Sequence, residues 1–107
     1  MRIFHQLKVL RGFQRRLLPF LKTVEDLELV HEIGIHQFHD KPLTLKLLLT
    51  QGIGSAATVQ RRLGRLKRLG VVHQTRARDD KRVMELTISP RVWRLYERLG
   101  VLMVKTR

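Results

Sequence analysis

The stretch from Thr44 to Thr87 constrains this chain more than any other, because its glycines and capping residues fall at a spacing few folds can use. It reads TLKLLLTQGIGSAATVQRRLGRLKRLGVVHQTRARDDKRVMELT. Thr44 can cap a short helix over Leu45 to Thr50, and Gly52 stops it, since glycine readily takes the left-handed conformation that closes a helix end. Ser55 caps a second helix, with Ala56, Ala57 and Thr58 in its first turn and Gly70 past its end. Val71 to Arg76 and Arg82 to Ile88 are β-biased runs flanking a charged RDDK tip, the pattern of a hairpin. A helix, a tight glycine turn, a basic helix and a basic two-stranded tip together predict a winged helix-turn-helix.

The flanks extend that frame. Ile3, Leu7, Leu10, Phe13 or Gln14, Leu17 and Leu21 recur near helical spacing among Arg and Lys, which predicts an amphipathic helix over Arg2 to Leu18 ending before Pro19. Thr23 can cap a following helix with Glu25 and Asp26 in its first turn. Its expected apolar face is Leu27, Val30, Ile33 or Gly34, and Phe38, and it should end near Asp40. Leu43 makes a very short extended piece. Ser89-Pro90 opens a last helix, expected to bury Val92 or Trp93, Leu95 or Tyr96, Leu99, and Leu102 or Met103. The predicted class is mainly α with a small β-hairpin wing: one domain over residues 1–107. It comprises an N-terminal basic helix (1–22), a winged helix-turn-helix core (23–88) and a C-terminal helix (89–107), the outer helices serving dimerisation; phosphates or an anionic membrane are the alternative partners of the N-terminal helix.

Charge narrows the partner. The chain carries a formal net charge of +13, which favours nucleic acid or another anionic surface. Residues 1–24 hold six Lys/Arg and no acid, whereas residues 25–40 hold five acids and no Lys/Arg. Between Ser55 and Arg82 there are nine Lys/Arg against Asp79 and Asp80. With no Cys, disulfides and thiolate metal sites are excluded. Lys8 and Arg11 interrupt any signal-peptide core near the start, and no apolar run is long enough to span a bilayer. A cytoplasmic protein, without a membrane partner, is expected.

On the Ser55 helix, Val59, Leu63 and Leu66 form one buried stripe. The opposite face carries Ala57, Arg61, Gly64 and Arg68, flanked by Gln60 and Arg65. No acid lies between Ser55 and Val72, so this helix forgoes the mixed i,i+4 pairs that an ordinary solvated helix uses. Small Ala56 and Ala57 let the helix end approach base edges, and the Ser55 and Thr58 hydroxyls can bond phosphates or bases. Gln60 can pair with adenine and Arg61 with guanine, while Arg65 and Arg68, further along, suit phosphates.

In GSAATVQRRLGRLKRLGVV and DDKRVMELTISP the chain resembles winged-helix regulators of the MarR (multiple antibiotic resistance regulator) type. The matching elements are Ser55, Thr58 and Val59, then Leu63, Leu66, Gly70 and Val71, and in the wing Asp80, Arg82, Leu86 and Thr87. The wing stretch is shorter than in typical members, and the flanking helices match only loosely. The resemblance implies a homodimer on a pseudo-palindromic operator, the 55–69 helix in the major groove and the 76–82 wing at the backbone or minor groove. It further implies that Arg82 enters the minor groove with Asp80 orienting it, Arg76, Arg78 and Lys81 clustering alongside.

Other chemistry is not expected. Glu32, His36, His39 and Asp40 have a spacing that could hold a divalent metal, but a polar face of an acidic helix accounts for them. Glu25 and Asp26 read as first-turn capping acids. There is no phosphate-binding glycine loop, dinucleotide fingerprint or nucleophile elbow, so neither enzyme activity nor a cofactor is expected. The reading is sequence-specific double-stranded DNA binding and transcriptional regulation, as a repressor. An RNA-binding winged helix and a protein-interaction module are the alternatives.

Overall fold

The computed structural model describes residues 1–105, which divide into two compact units, residues 1–22 with 90–105 and residues 23–89. In chain order the elements are α1 (Arg2–Leu17), α2 (Val24–Phe38), β1 (Leu43–Thr44), α3 (Leu45–Leu48), α4 (Ala56–Arg68), β2 (Val72–Arg76), β3 (Met84–Ile88) and α5 (Pro90–Lys105).

In the 23–89 unit, side-chain caps start each helix as the sequence suggests. Thr23 Oγ1 accepts from the Asp26 N–H at 3.1 Å while the Asp26 carboxylate accepts from the Thr23 N–H at 3.2 Å, a reciprocal capping box. Thr44 and Ser55 accept from the N–H groups of Leu47 and Thr58. Gly52 (φ 74°) and Gly70 (φ 73°) take the left-handed conformation needed after α3 and α4. The short extended piece at Leu43 becomes an edge strand. The antiparallel sheet has the order β1-β3-β2, with Leu43 opposite Leu86 and Val72 opposite Ile88. Gln37 reaches from α2 to accept the Ile88 N–H at 2.7 Å.

The core of this unit is Leu29, Val30 and Ile33 of α2, Leu48 of α3, Val59, Leu63 and Leu66 of α4, and Leu43, Val72, Leu86 and Ile88 of the sheet. The α4 stripe is therefore as its spacing predicts. The α2 face is rotated from expectation. Leu29 is buried, Leu27 only half-buried, and Phe38 is 71% exposed. The buried row begins instead at Asp26, a residue that apolar periodicity cannot select. The hairpin strands are also shorter than predicted: beyond the last pair the Ala77 N–H donates to the Val83 carbonyl, and Arg82 sits in the turn.

In the other unit α1 and α5 pack together. Gln14 and Leu18 are buried and Leu10 and Leu17 half-buried, while Ile3 and Leu7 of the predicted apolar face are exposed. On α5, Val92 and Leu99 are buried while Trp93, Leu95, Tyr96, Leu102 and Met103 are half-buried.

Candidate nucleic-acid interface

The interface begins with what holds α4. Asp26 is fully buried, and Arg62 of α4 grips it with two parallel bonds, Nε to Oδ1 at 2.8 Å and Nη2 to Oδ2. Arg65 adds a longer bond from Nη1 to Oδ2 at 3.4 Å. The hydrogen bond to Asp26, foremost, strengthens Arg62's hold on its proton, against the opposing effect of burial. A carboxylate without solvent is costly unless paired and fully bonded. Here its oxygens are taken by the helix cap on one side and the guanidinium fork on the other. The first turn of α2 is thereby tied to the middle of α4, and the direction of α4 is set from within.

Sequence reasoning missed this pair. Asp26 reads as a first-turn capping acid, which it is, and Arg62 is passed over between the apolar and outer faces. The signal was present nonetheless. Arg62 lies three residues after Val59 and four before Leu66, on the edge of the buried row. Asp26 lies three residues before Leu29 and four before Val30, at the head of the buried row of α2. One acid and one base, each on an otherwise apolar row, are candidates for each other.

With that side anchored, Ser55, Ala57, Gln60, Arg61 and Arg68 are exposed, and Thr58, Gly64 and Arg65 are half-buried. Among the described residues no carboxylate pairs with Arg61 or Arg68. The Ser55 hydroxyl is engaged locally: it caps the helix and donates to Thr58 Oγ1 at 3.0 Å. Arg65 differs from its expected role as a phosphate contact in that part of its guanidinium is turned inward to Asp26. At the far end of α4, Lys67 donates to Gln74 of β2, joining the helix to the hairpin.

The wing presents Arg76, Arg78, Lys81 and Arg82, all exposed. Arg76 Nη1 donates to the Lys81 carbonyl at 2.6 Å and braces the turn from one side. Asp80 braces it from within, its Oδ1 accepting from the backbone N–H of Arg82 at 3.0 Å and from Arg82 Nε at 3.2 Å. That side-chain bond, followed by the backbone one, holds the Asp80 carboxyl below its ordinary range. The Arg82 side chain is 91% exposed, and Asp80 holds the guanidinium as well as the backbone, with Arg82 Nη2 3.4 Å from Oδ2.

The polar cluster at the end of α2 is organised differently. His36 Nδ1 lies 3.0 Å from the Glu32 carbonyl, and the ring of His39 meets Phe38 edge-on at 5.3 Å. Among the described residues no group of three or more His, Asp or Glu is placed to hold a metal ion.

Two helices joined by a glycine turn, the second presenting an acid-free outer face, followed by a braced cationic hairpin, make this a winged helix-turn-helix protein. More narrowly, it has the winged-helix fold of MarR-type regulators. MarR itself aligns over 96% of this chain and 78% of its own with a TM-score of 0.55 at 20% identity. FabT of Streptococcus pneumoniae, in complex with DNA, aligns over 97% of this chain and 73% of its own, with a TM-score of 0.62 at 23% identity. A mutant of S. aureus MepR bound to an oligodeoxyribonucleotide covers 97% and 72%, with a TM-score of 0.66 at 19% identity. No protein-family model matches the sequence, and no curated protein matches it. Among the described residues no helix is long and apolar enough to cross a membrane.

Proposed function

We propose that this protein binds double-stranded DNA in a sequence-specific manner and regulates transcription as a cytoplasmic repressor, without catalysis. The observation that carries the reading is the outer face of α4: Ala57, Gln60 and Arg61 are exposed, free of neighbouring acids, and mounted on a helix whose inner side is locked to Asp26. Small residues at the helix start admit close approach, Gln60 suits adenine, and Arg61 suits guanine. Arg68, and Arg65 with whatever reach Asp26 leaves it, serve as phosphate contacts, while Arg76, Arg78, Lys81 and Arg82 meet the backbone or minor groove. The Ser55 and Thr58 hydroxyls act at the helix start, through its N-terminal N–H groups as much as by direct contact. That FabT and a MepR mutant of this fold have been seen with DNA supports the same class of partner here.

The active form in this reading is a homodimer through the N- and C-terminal helices. Ile3, Leu7, Leu10, Met103 and Val104 line an apolar groove in the α1–α5 unit, and half of the Ile3 and Leu7 surface lies open; a second copy would cover it. Selection from a random duplex pool near physiological salt tests the function. The expected product is a palindrome with half-sites about one helical turn, ~10 bp, apart. An unenriched pool, or preference for structured RNA over any duplex, would overturn the proposal.

A further inference from the structure

The net charge is not where a DNA-reading unit would lead one to look. Residues 1–22 and 90–107 carry eleven Lys/Arg against Glu97 alone, a net of +10, whereas residues 23–89 carry eleven Lys/Arg against eight acids, a net of +3. We propose that the α1–α5 unit is a second, sequence-blind DNA-binding surface that grips the phosphate backbone of duplex DNA through two rows of basic side chains. This rests on the DNA-binding function proposed above and extends it to residues outside the winged helix.

The rows are built by spacing. On α1, Lys8, Arg11 and Arg15 stand at i, i+3 and i+7, and on α5, Arg91, Arg94 and Arg98 repeat the pattern, with Lys105 two turns further on. At 100° per residue each row falls within an arc of about 60°, so each is one edge of its helix rather than a scatter. All seven side chains are exposed. Among the described residues none of them meets a carboxylate; Arg11 donates to the Gln14 side chain at 3.2 Å.

Such rows oppose both helix formation and self-association. Like charges one turn apart disfavour a helix, and a surface built only for solubility intersperses the signs. Two copies meeting through this unit would bring like charge together. A polyanion reverses each of these effects at once, and five of the seven side chains are arginines, whose planar fork pairs with phosphate oxygens two bonds at a time. The Lys8 to Arg15 row extends about 10 Å at 1.5 Å per residue, comparable to the axial rise of three base pairs. An anionic membrane is a poorer fit. A helix lying on lipid turns its apolar face outward into the acyl boundary; Phe4, Val101 and Val104 are exposed in this unit, but Leu10 and Met103 line a groove shared by α1 and α5.

The test uses two paired variants of the full chain, R11Q/R15Q on α1 and R94Q/R98Q on α5, with Arg61→Ala beside them. Affinity is measured against salt on a random-sequence duplex several helical turns long and on the selected operator, with thermal midpoints recorded for each protein. Each pair should flatten the slope of log K against log salt by about two for each bound subunit, at roughly 0.9 for each phosphate that is no longer neutralised. Preference for operator over random duplex should stay at the wild-type ratio. Arg61→Ala should do the reverse, lowering that ratio with little change in slope. If one pair shifts the thermal midpoint, the pair on the other helix supplies the reading. Wild-type slopes in both pairs would overturn the inference while leaving the winged-helix reading intact, provided Arg61→Ala still loses preference. Pairs that release phosphatidylserine vesicles but bind duplex as before would overturn it in favour of a membrane. A wild-type protein that binds no duplex would remove both proposals.

Discussion

Adjacent arginines on α4 have opposite duties. Arg62 turns inward to a carboxylate with no solvent exposure, and Arg61 is exposed and, among the described residues, pairs with no carboxylate. Arg62→Ala leaves Asp26 buried and short of its main partner, so it should cost about 3–5 kcal/mol of stability in urea or thermal unfolding. Arg61→Ala should stay within about 0.5 kcal/mol of wild type in the same measurement, its loss appearing only in DNA preference. The wing supplies a pH signature. Asp80 is held below the ordinary carboxylate range by the Arg82 guanidinium and then by the Arg82 N–H. Its contribution to wing order is therefore complete above that range and lost only as pH falls through the lowered folded value. An NMR titration of the Arg82 amide should show one transition, displaced to the acid side of an ordinary aspartate. D80N should abolish it; a transition at the ordinary aspartate position would refute the bond.

At the scale of elements, local signals were legible and distant ones were not. The caps at Thr23, Thr44 and Ser55 and the stops at Gly52 and Gly70 follow from bonds within four residues, and the structure has each of them. The α4 stripe is legible for the same reason. The Asp26–Arg62 tie spans 36 positions in sequence, and nothing local announces it. Periodicity found an apolar face on α1 but could not say what covers it, and within one chain Ile3 and Leu7 stay exposed. The charge of α1 was legible and a contact with phosphates was among its readings, but the basic edge of α5 was passed over because that helix was assigned by its apolar residues. Two glycines separate backbone need from choice. Gly70→Ala should lose on the order of 1 kcal/mol or more, because its φ of 73° is unfavourable for any residue with a Cβ. Gly64 has helical backbone, and an added Cβ would meet only the mobile tip of Arg68, Nη1 at 3.4 Å. Gly64→Ala should therefore raise stability by up to about 1 kcal/mol. Paired urea curves check both signs.

For the whole molecule, the partition of charge between the two units ties assembly to ionic conditions. Two copies of a chain at +13 carry +26 together, and the α1–α5 unit through which they are proposed to meet holds the larger share of it. Added salt should then tighten the free dimer while it weakens DNA binding, because screening relieves one repulsion and competes with one attraction. Sedimentation of the free protein and operator titrations over the same salt series should run in opposite directions; parallel trends would argue against pairing through α1 and α5. Subunit pairing and operator occupancy would then rise as one event. At low ionic strength, where the free subunits repel most, the duplex itself would be the counter-ion that lets two copies come together.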